Sequence, residues 1–138
     1  MSVLFRLPFR KEYQQLYKLE RLKSMESELP IILRVYDLYK QLVDCNIKLP
    51  KLHRYGLGLS AENTTLSLLE NLIMAKYAPK PNKAKFLIIS MAQIETLRFK
   101  LRLYLELGLI NETRVFQIQN ILQEIGRMAN GWRKSVNA

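Results

Sequence analysis

Two side chains of this sequence could carry nucleophilic chemistry, the sole histidine, His53, and the sole cysteine, Cys45. A catalytic thiol–imidazole pair needs both groups within hydrogen-bond reach of each other. Cys45, however, continues an apolar 3/4 spacing that places its side chain on the core side of a helix. We therefore interpret Cys45 as a structural core residue, and we predict no catalytic residue in the chain.

The remaining titratable side chains give no better candidate site. Glu62 and Glu70 lie two helical turns apart and could share a face, but such carboxylates more often pair with Lys or Arg on a helix surface. Metal sites in helical bundles use paired Glu-x-x-His motifs, and zinc sites need several His or Cys ligands. The sequence therefore predicts no metal, no cofactor, no small-molecule substrate and no enzymatic activity.

The positive charge is the stronger signal. The chain has 22 Lys and Arg against 12 Asp and Glu, a formal net charge of +10. Such an excess favours a polyanionic partner, although cations near a helix end also compensate the helix dipole. Arg98 and Arg102 are four residues apart and should share one helical face. The other candidate nucleic-acid contacts flank the first predicted turn and close the last predicted helix: Lys51, Arg54, Arg127, Arg133 and Lys134.

Composition and periodicity predict an all-α protein. The apolar fraction is 49%, which is typical of a globular domain, and no strand pattern is evident. We predict a basic N-terminal arm over residues 1–29, helical from about Lys11 to Glu26, then a four-helix bundle over 30–135 and a tail over 136–138. Short turns near Pro50, Pro79 and Gly108 should make this an up-down-up-down bundle.

Each bundle helix is predicted to bury one apolar stripe. The first two stripes are Ile31, Val35, Leu38, Leu42, Cys45 and then Leu52, Tyr55, Leu59, Leu66, Leu69, Ile73, Tyr77. The last two are Leu87, Met91, Ile94, Leu97, Leu101, Tyr104 and then Val115, Ile118, Ile121 or Leu122, Ile125, Met128, Trp132. Gly56 and Gly58 interrupt the second segment, which implies close packing or a bend there.

Some apolar residues of the third bundle helix lie off its stripe, namely Ile88, Phe99 and Leu103. A second apolar side of this kind often packs against another subunit, so these residues are predicted to form an oligomer interface. Trp132 continues the fourth stripe, and we interpret it as a packed structural anchor rather than a base-stacking platform. Gly126, in the same closing run, is assigned a structural role with it.

The compartment is predicted to be the cytoplasm. One cysteine cannot form an internal disulfide, which fits a reducing environment. Arg6 and then Arg10 with Lys11 interrupt the apolar residues near the beginning of the chain, so no signal peptide is expected. No window approaches the roughly 20 apolar residues of a membrane helix, so no membrane association is expected.

Two runs of residues resemble a known family. The first is Pro30-Ile31-Ile32 with Tyr36-Asp37-Leu38-Tyr39, followed by residues 51–58 and Glu62-Asn63-Thr64. The second is the ending Glu124-Ile125-Gly126-Arg127-Met128 with Asn130-Gly131-Trp132. Over about residues 30–135 the chain is similar to the four-helix-bundle family that includes the accessory variability determinant, Avd, of diversity-generating retroelements. The usual glycine of the ending is Asn130 here, a residue that tolerates a left-handed conformation.

The resemblance implies a non-catalytic homopentameric barrel in a bacterial, archaeal or phage-infected cell. It implies binding to the retroelement reverse transcriptase and to template-repeat RNA or cDNA, in support of mutagenic retrohoming. Arg98, Arg102, Arg127 and Arg133 would then be nucleic-acid contacts. Two alternatives remain open: a bundle protein of the ribosomal RNA intervening-sequence type, which shares the fold, and a helical protein-interaction adaptor whose charge aids solubility.

Overall fold

The structure, a computed structural model, describes residues 10–26 and 29–137. Within these residues the chain forms helices and no strand, which confirms the all-α prediction. The helices are α1 (Arg10–Glu26), α2 (Pro30–Asn46), α3 (Lys51–His53), α4 (Leu59–Tyr77), α5 (Lys80–Glu106) and α6 (Glu112–Asn137), and a π-helical segment (Arg54–Gly58) joins α3 to α4. The rest of the predicted arm and the last residue of the predicted tail lie outside the described residues.

The helix ends follow from local chemistry that the sequence displays. Pro30 occupies the first turn of α2. A backbone N–H at this position would have no carbonyl partner within the helix, so its absence in proline costs no hydrogen bond. Gly108 ends α5 in the left-handed region, with φ of 64°. The Oδ1 atom of Asn111 accepts a hydrogen bond from the backbone N–H of Arg114 at 2.8 Å and so caps α6.

The long helices α2, α4, α5 and α6 enclose one apolar core. α2 packs against α4 and α6, and α5 packs against the same two helices. The predicted stripes of α2, α5 and α6 supply most of this core, with Met91, Met128 and Trp132 partly buried at its margin. Ser90 and Ala129, which the stripes did not include, are fully buried as well. Three of the four predicted stripes are therefore essentially confirmed.

The prediction of which face of α4 enters the core is wrong. Its core face consists of other residues, Ala61, Thr65, Leu68, Leu72 and Ala75. The predicted residues lie mostly on the outside, with Leu52 79% and Tyr77 76% exposed, and only Leu69 packs against the core. On this face Ala61 and Ala75 let α4 approach its neighbours closely, while Leu68 and Leu72 fill the core between them. We call the exposed set the outer α4 face: Leu52, Tyr55, Leu59, Leu66, Ile73 and Tyr77.

A polar cluster around Asn46 fixes the first turn of the bundle. The buried Asn46 Nδ2 donates to the Gly58 carbonyl at 3.0 Å and to Glu62 Oε2 at 2.7 Å. Its Oδ1 accepts the hydroxyl of Tyr104 at 2.6 Å. The chain kinks at Gly56 (φ −96°, ψ −105°), and a Cβ on Gly58 would lie 3.1 Å from Asn46 Cγ. The bend and close packing predicted from the two glycines are thus both confirmed.

Helix α1 carries apolar side chains that the bundle does not cover. Residues 11–20 are all exposed, and their larger apolar members, Tyr13, Leu16, Tyr17 and Leu19, are each about half accessible to solvent. The apolar side of this amphipathic helix does not pack against the core of the bundle. The surface it presents is therefore available to a partner.

The buried phenol of Tyr104 makes stability depend on alkaline pH. Burial, as the largest cause, raises the pKa of Tyr104 from 10.0 to about 12. Between these values the folded chain keeps a proton that the unfolded chain loses, so the stabilisation is complete below pH 10 and disappears as pH rises through 12. We expect urea titrations to lose about 2 kcal/mol more stability over this interval in the parent protein than in Tyr104→Phe. A Tyr13→Phe control on the exposed helix α1 should behave as the parent. Equal pH dependence in all three proteins would contradict the assignment.

Candidate nucleic-acid interface

Arg98 and Arg102 lie together in a groove between α5 and α6, as their spacing predicted. The groove has a volume of about 410 Å³, and we call it the α5 groove; its lining is Glu95, Arg98, Phe99, Arg102, Gln119 and Gln123. Both arginines are already paired. Arg98 Nη1 lies 2.6 Å from Glu95 Oε2, and Arg102 Nε lies 2.9 Å from Glu106 Oε1. These are exposed pairs one turn apart, which contribute at most a few tenths of a kcal/mol each, so a phosphate can compete for either guanidinium.

Gly126 gives Arg98 the space to lie against the backbone of α6. A Cβ built on Gly126 would stand only 2.7 Å from Arg98 Nη2 and 3.7 Å from Ile94 Cγ2. The absent side chain therefore lets the guanidinium rest across the fourth long helix. This contact supplies a physical reason for glycine in the closing run, where a helix interior would otherwise favour alanine.

The three residues predicted for an oligomer interface are exposed on the side of α5 away from the core. Ile88 and Phe99 are each 59% exposed and Leu103 is 43% exposed. Ile89 and Leu107, which the sequence analysis did not include, extend the same outer α5 face. Phe99 also lines the α5 groove, so an apolar surface and a cationic groove meet at this side chain.

The other predicted contacts do not join this groove. Lys51 and Arg54 lie around the turn between α2 and α4, where Arg54 Nη2 donates to the Leu49 carbonyl at 3.1 Å. Arg127 is exposed on α6. Arg133 and Lys134 lie near the C-terminal end of α6, and Arg133 Nη2 donates to Asn130 Oδ1 at 3.0 Å. The structure thus separates the seven candidate cations into distinct regions of the surface.

Two further polar contacts hold the bundle and withdraw cations from the surface. Arg34 on α2 pairs with Glu124 on α6, and the hydrogen bond to that carboxylate raises the pKa of Arg34. Lys100 Nζ donates to the hydroxyls of Ser60 and Thr64, both at 2.7 Å. Burial lowers the pKa of Lys100, whose role is to join α5 to α4. Periodicity alone could not identify these cross-helix partners.

Trp132 lies between the core and a cavity at one end of the bundle. It is partly buried, packs against the core and lines a cavity of about 540 Å³ with Leu29, Pro30, Ile31, Lys76, Lys83 and Met128. Cys45 is likewise in the core, 5% exposed. Among the described residues no group of three or more His, Cys, Asp or Glu side chains could hold a metal ion. No described helix combines the length and apolarity needed to cross a membrane.

Comparison with known families gives one clear result. The bAvd-like family model matches residues 29–136, which include all four long bundle helices except the last residue of α6. Helix α1 precedes the matched region. Comparison with curated proteins found no significant match.

The contact between Gly126 and Arg98 can be tested with a pair of glycine variants on one helix. Gly131→Ala adds a Cβ into open space and should stabilise α6 by up to about 1 kcal/mol through helix propensity. Gly126→Ala should gain less, because its Cβ must displace the Arg98 guanidinium. Chemical denaturation of both variants measures the difference. Equal gains would mean that the Arg98 contact is energetically neutral.

Proposed function

The chain belongs to the bAvd-like family, and on that basis we propose that it is a non-catalytic accessory protein of a diversity-generating retroelement. In this proposal it binds the reverse transcriptase and the template-repeat RNA or cDNA and supports mutagenic reverse transcription. The observation that carries the proposal is the family match over residues 29–136. The net charge of +10 supports it, because polyanion binding draws on such a charge.

The α5 groove is a suitable surface for a nucleic-acid backbone within this proposal. Its two guanidinium groups can each form bidentate hydrogen bonds with phosphate oxygens. The amides of Gln119 and Gln123 add donors and acceptors beside them. Arg127, Arg133, Lys134, Lys51 and Arg54 remain proposed contacts elsewhere on the protomer.

We propose that the protomer is an up-down-up-down bundle. Contacts between α2 and α6 support this, since Arg34 bonds to Glu124 whereas the later residue Gln41 bonds to the earlier residue Arg114. The two helices must therefore run in opposite directions. The polar contacts of α4 with α5 have the same order, with Ser67 bonded to Gln93 and Ser60 to Lys100.

The protomers are further proposed to form a pentameric ring. Two different apolar surfaces are exposed, the outer α4 face and the outer α5 face. If one surface packs on the other in the next subunit, the interface is heterologous, and such interfaces generate closed rings when the rotation fits. A two-fold dimer in which one face packs against its own copy would leave the other face exposed to solvent. The α5 face includes Ile88, Phe99 and Leu103, the residues predicted for this role.

The role of the α5 groove in RNA binding can be tested by altering charge in both directions. Arg98→Glu with Arg102→Glu should weaken binding to template-repeat RNA roughly tenfold or more at moderate salt, since two phosphate contacts are lost and repulsion is added. Glu95→Gln with Glu106→Gln should strengthen binding, because each arginine loses its competing carboxylate. Filter binding across a salt series measures both. Unchanged affinity in folded double variants would exclude the groove as an RNA contact.

The proposed ring can be tested by measuring mass with light scattering after size exclusion. The parent should have a mass five times that of the 16.3 kDa chain. Phe99→Asp on the α5 face and Leu66→Asp on the α4 face should each yield smaller species, because each removes one side of the same interface. Asn120→Asp on the exposed surface of α6 is the control. If only one of the two faces matters, the interface is not heterologous.

A further inference from the structure

Basic residues accumulate at the end of the bundle that contains Trp132. Residues 71–94, around the α4–α5 turn, contain four lysines and no acid, and residues 125–137 of α6 contain three cations and no acid. The start of α2, which carries no charge, lies at the same end of the bundle. Leu29, Pro30 and Ile31 line one cavity there with Lys76, Lys83 and Trp132. We call this surface the basic end: Lys76, Lys80, Lys83, Lys85, Arg133 and Lys134.

Three lysines of the basic end, Lys80, Lys83 and Lys85, are not placed to stabilise their own helix. Lys80, Lys83 and Lys85 lie in the first turns of α5, where positive charge opposes the helix dipole. For Lys83 the unfavourable interaction with the dipole is offset by hydrogen bonds, since its Nζ donates to the carbonyls of Ala75 and Lys76 at 2.8 and 2.9 Å. Lys80 and Lys85 have no ion-pair partner among the residues that the structure describes. Their placement is explained if a bound anion, rather than the fold, selects them.

Charge pairing distinguishes this surface from the α5 groove. In the groove, Glu95 and Glu106 already neutralise Arg98 and Arg102. In residues 10–26 and 29–137, the ammonium of Lys134 has no such carboxylate partner, nor have those of Lys80 and Lys85. A phosphate that meets unpaired lysines does not have to displace a protein carboxylate first. Lys80, Lys85 and Lys134 should therefore contribute more counterion release per cation than the groove.

The cavity beside Trp132 gives this surface a second recognition element. Its volume of about 540 Å³ is in the range of small-ligand sites and exceeds that of one nucleobase. Leu29, Pro30, Ile31 and Met128 form an apolar wall, Trp132 supplies an aromatic surface, and Lys76 and Lys83 lie at the same cavity. Aromatic stacking with lysines beside it is the combination that single-stranded nucleic-acid sites use, because every base has a π-face.

We propose that the basic end binds single-stranded nucleic acid, with one base entering the Trp132 cavity and the flanking phosphates contacting Lys80, Lys85 and Lys134. The proposal rests on the proposed function and deepens it by placing the strand at the end of each bundle. A base stacked on an indole requires an unpaired strand, so single strands are preferred over duplexes. Recognition by stacking and charge tolerates different base sequences.

The contribution of the lysines to RNA binding is tested with two double variants, each of which removes two positive charges. Lys80→Gln with Lys85→Gln should lower affinity for a single-stranded RNA oligonucleotide about tenfold and reduce the salt slope by about 1.4, at ~0.7 per phosphate contact. Lys18→Gln with Lys48→Gln removes two exposed charges elsewhere on the surface and is the matched control. It should alter affinity by less than about twofold, because only long-range attraction changes.

The cavity is tested by fluorescence of the parent protein, in which Trp132 is the sole tryptophan. The single-stranded RNA oligonucleotide should quench this emission at saturation. An oligonucleotide of equal length made only of abasic sites should bind through its phosphates but quench much less. Trp132→Leu should lose roughly tenfold in RNA affinity, and Trp132→Phe, which retains a ring, should keep most of it.

The outcomes separate this inference from the proposed function. If the parent protein binds no RNA at all, the proposed function fails and this inference fails with it. If the parent binds RNA but the Lys80/Lys85 variant matches its control, or the abasic strand quenches as strongly as RNA, only the basic-end site is excluded. Retained RNA affinity with loss of reverse transcriptase binding in the lysine variant would assign the basic end to the polymerase and overturn the nucleic-acid site.

Discussion

The side chain of Asn46 is the contact on which the arrangement of this bundle depends. It satisfies the Gly58 carbonyl at the kinked segment, binds Glu62 at the start of α4 and accepts the hydroxyl of Tyr104 on α5. One amide thus connects three helices inside the protein, where an unsatisfied polar group would cost about 1–3 kcal/mol. The cluster therefore holds the kinked segment and the start of α4 against α2 and α5.

Periodicity predicted the helices well, and it predicted their buried faces where one stripe is larger and more apolar than any other. This holds for α2, α5 and α6. On α4 two stripes compete, and the sequence favours the one with more large apolar residues. The structure buries the other, in which Ala61 and Ala75 permit close helix approach around Leu68 and Leu72. The deciding quantity is the volume available between neighbouring helices, which a single helix does not encode.

The candidate site was predictable to the extent that it lies on one helix. The four-residue spacing of Arg98 and Arg102 placed both in the α5 groove, and the spacing to Glu95 and Glu106 allows their ion pairs. The lysine cluster of the basic end is apparent in the sequence around the α4–α5 turn, but its proximity to the tryptophan is not. The tryptophan lies on α6, and only tertiary packing brings Lys83 and Trp132 to one cavity.

The surfaces of the protomer differ in what they can offer a partner. The outer faces of α4 and α5 are apolar and gain most from leaving water, which suits permanent contact with another subunit. Exposed lysines such as Lys80, Lys85 and Lys134 favour a partner whose own counterions are released on binding. A ring built through the apolar faces would repeat the basic end once per subunit. Weak contacts of each end with one strand would then add through effective concentration, so a modest site on a protomer becomes a strong one in the assembly.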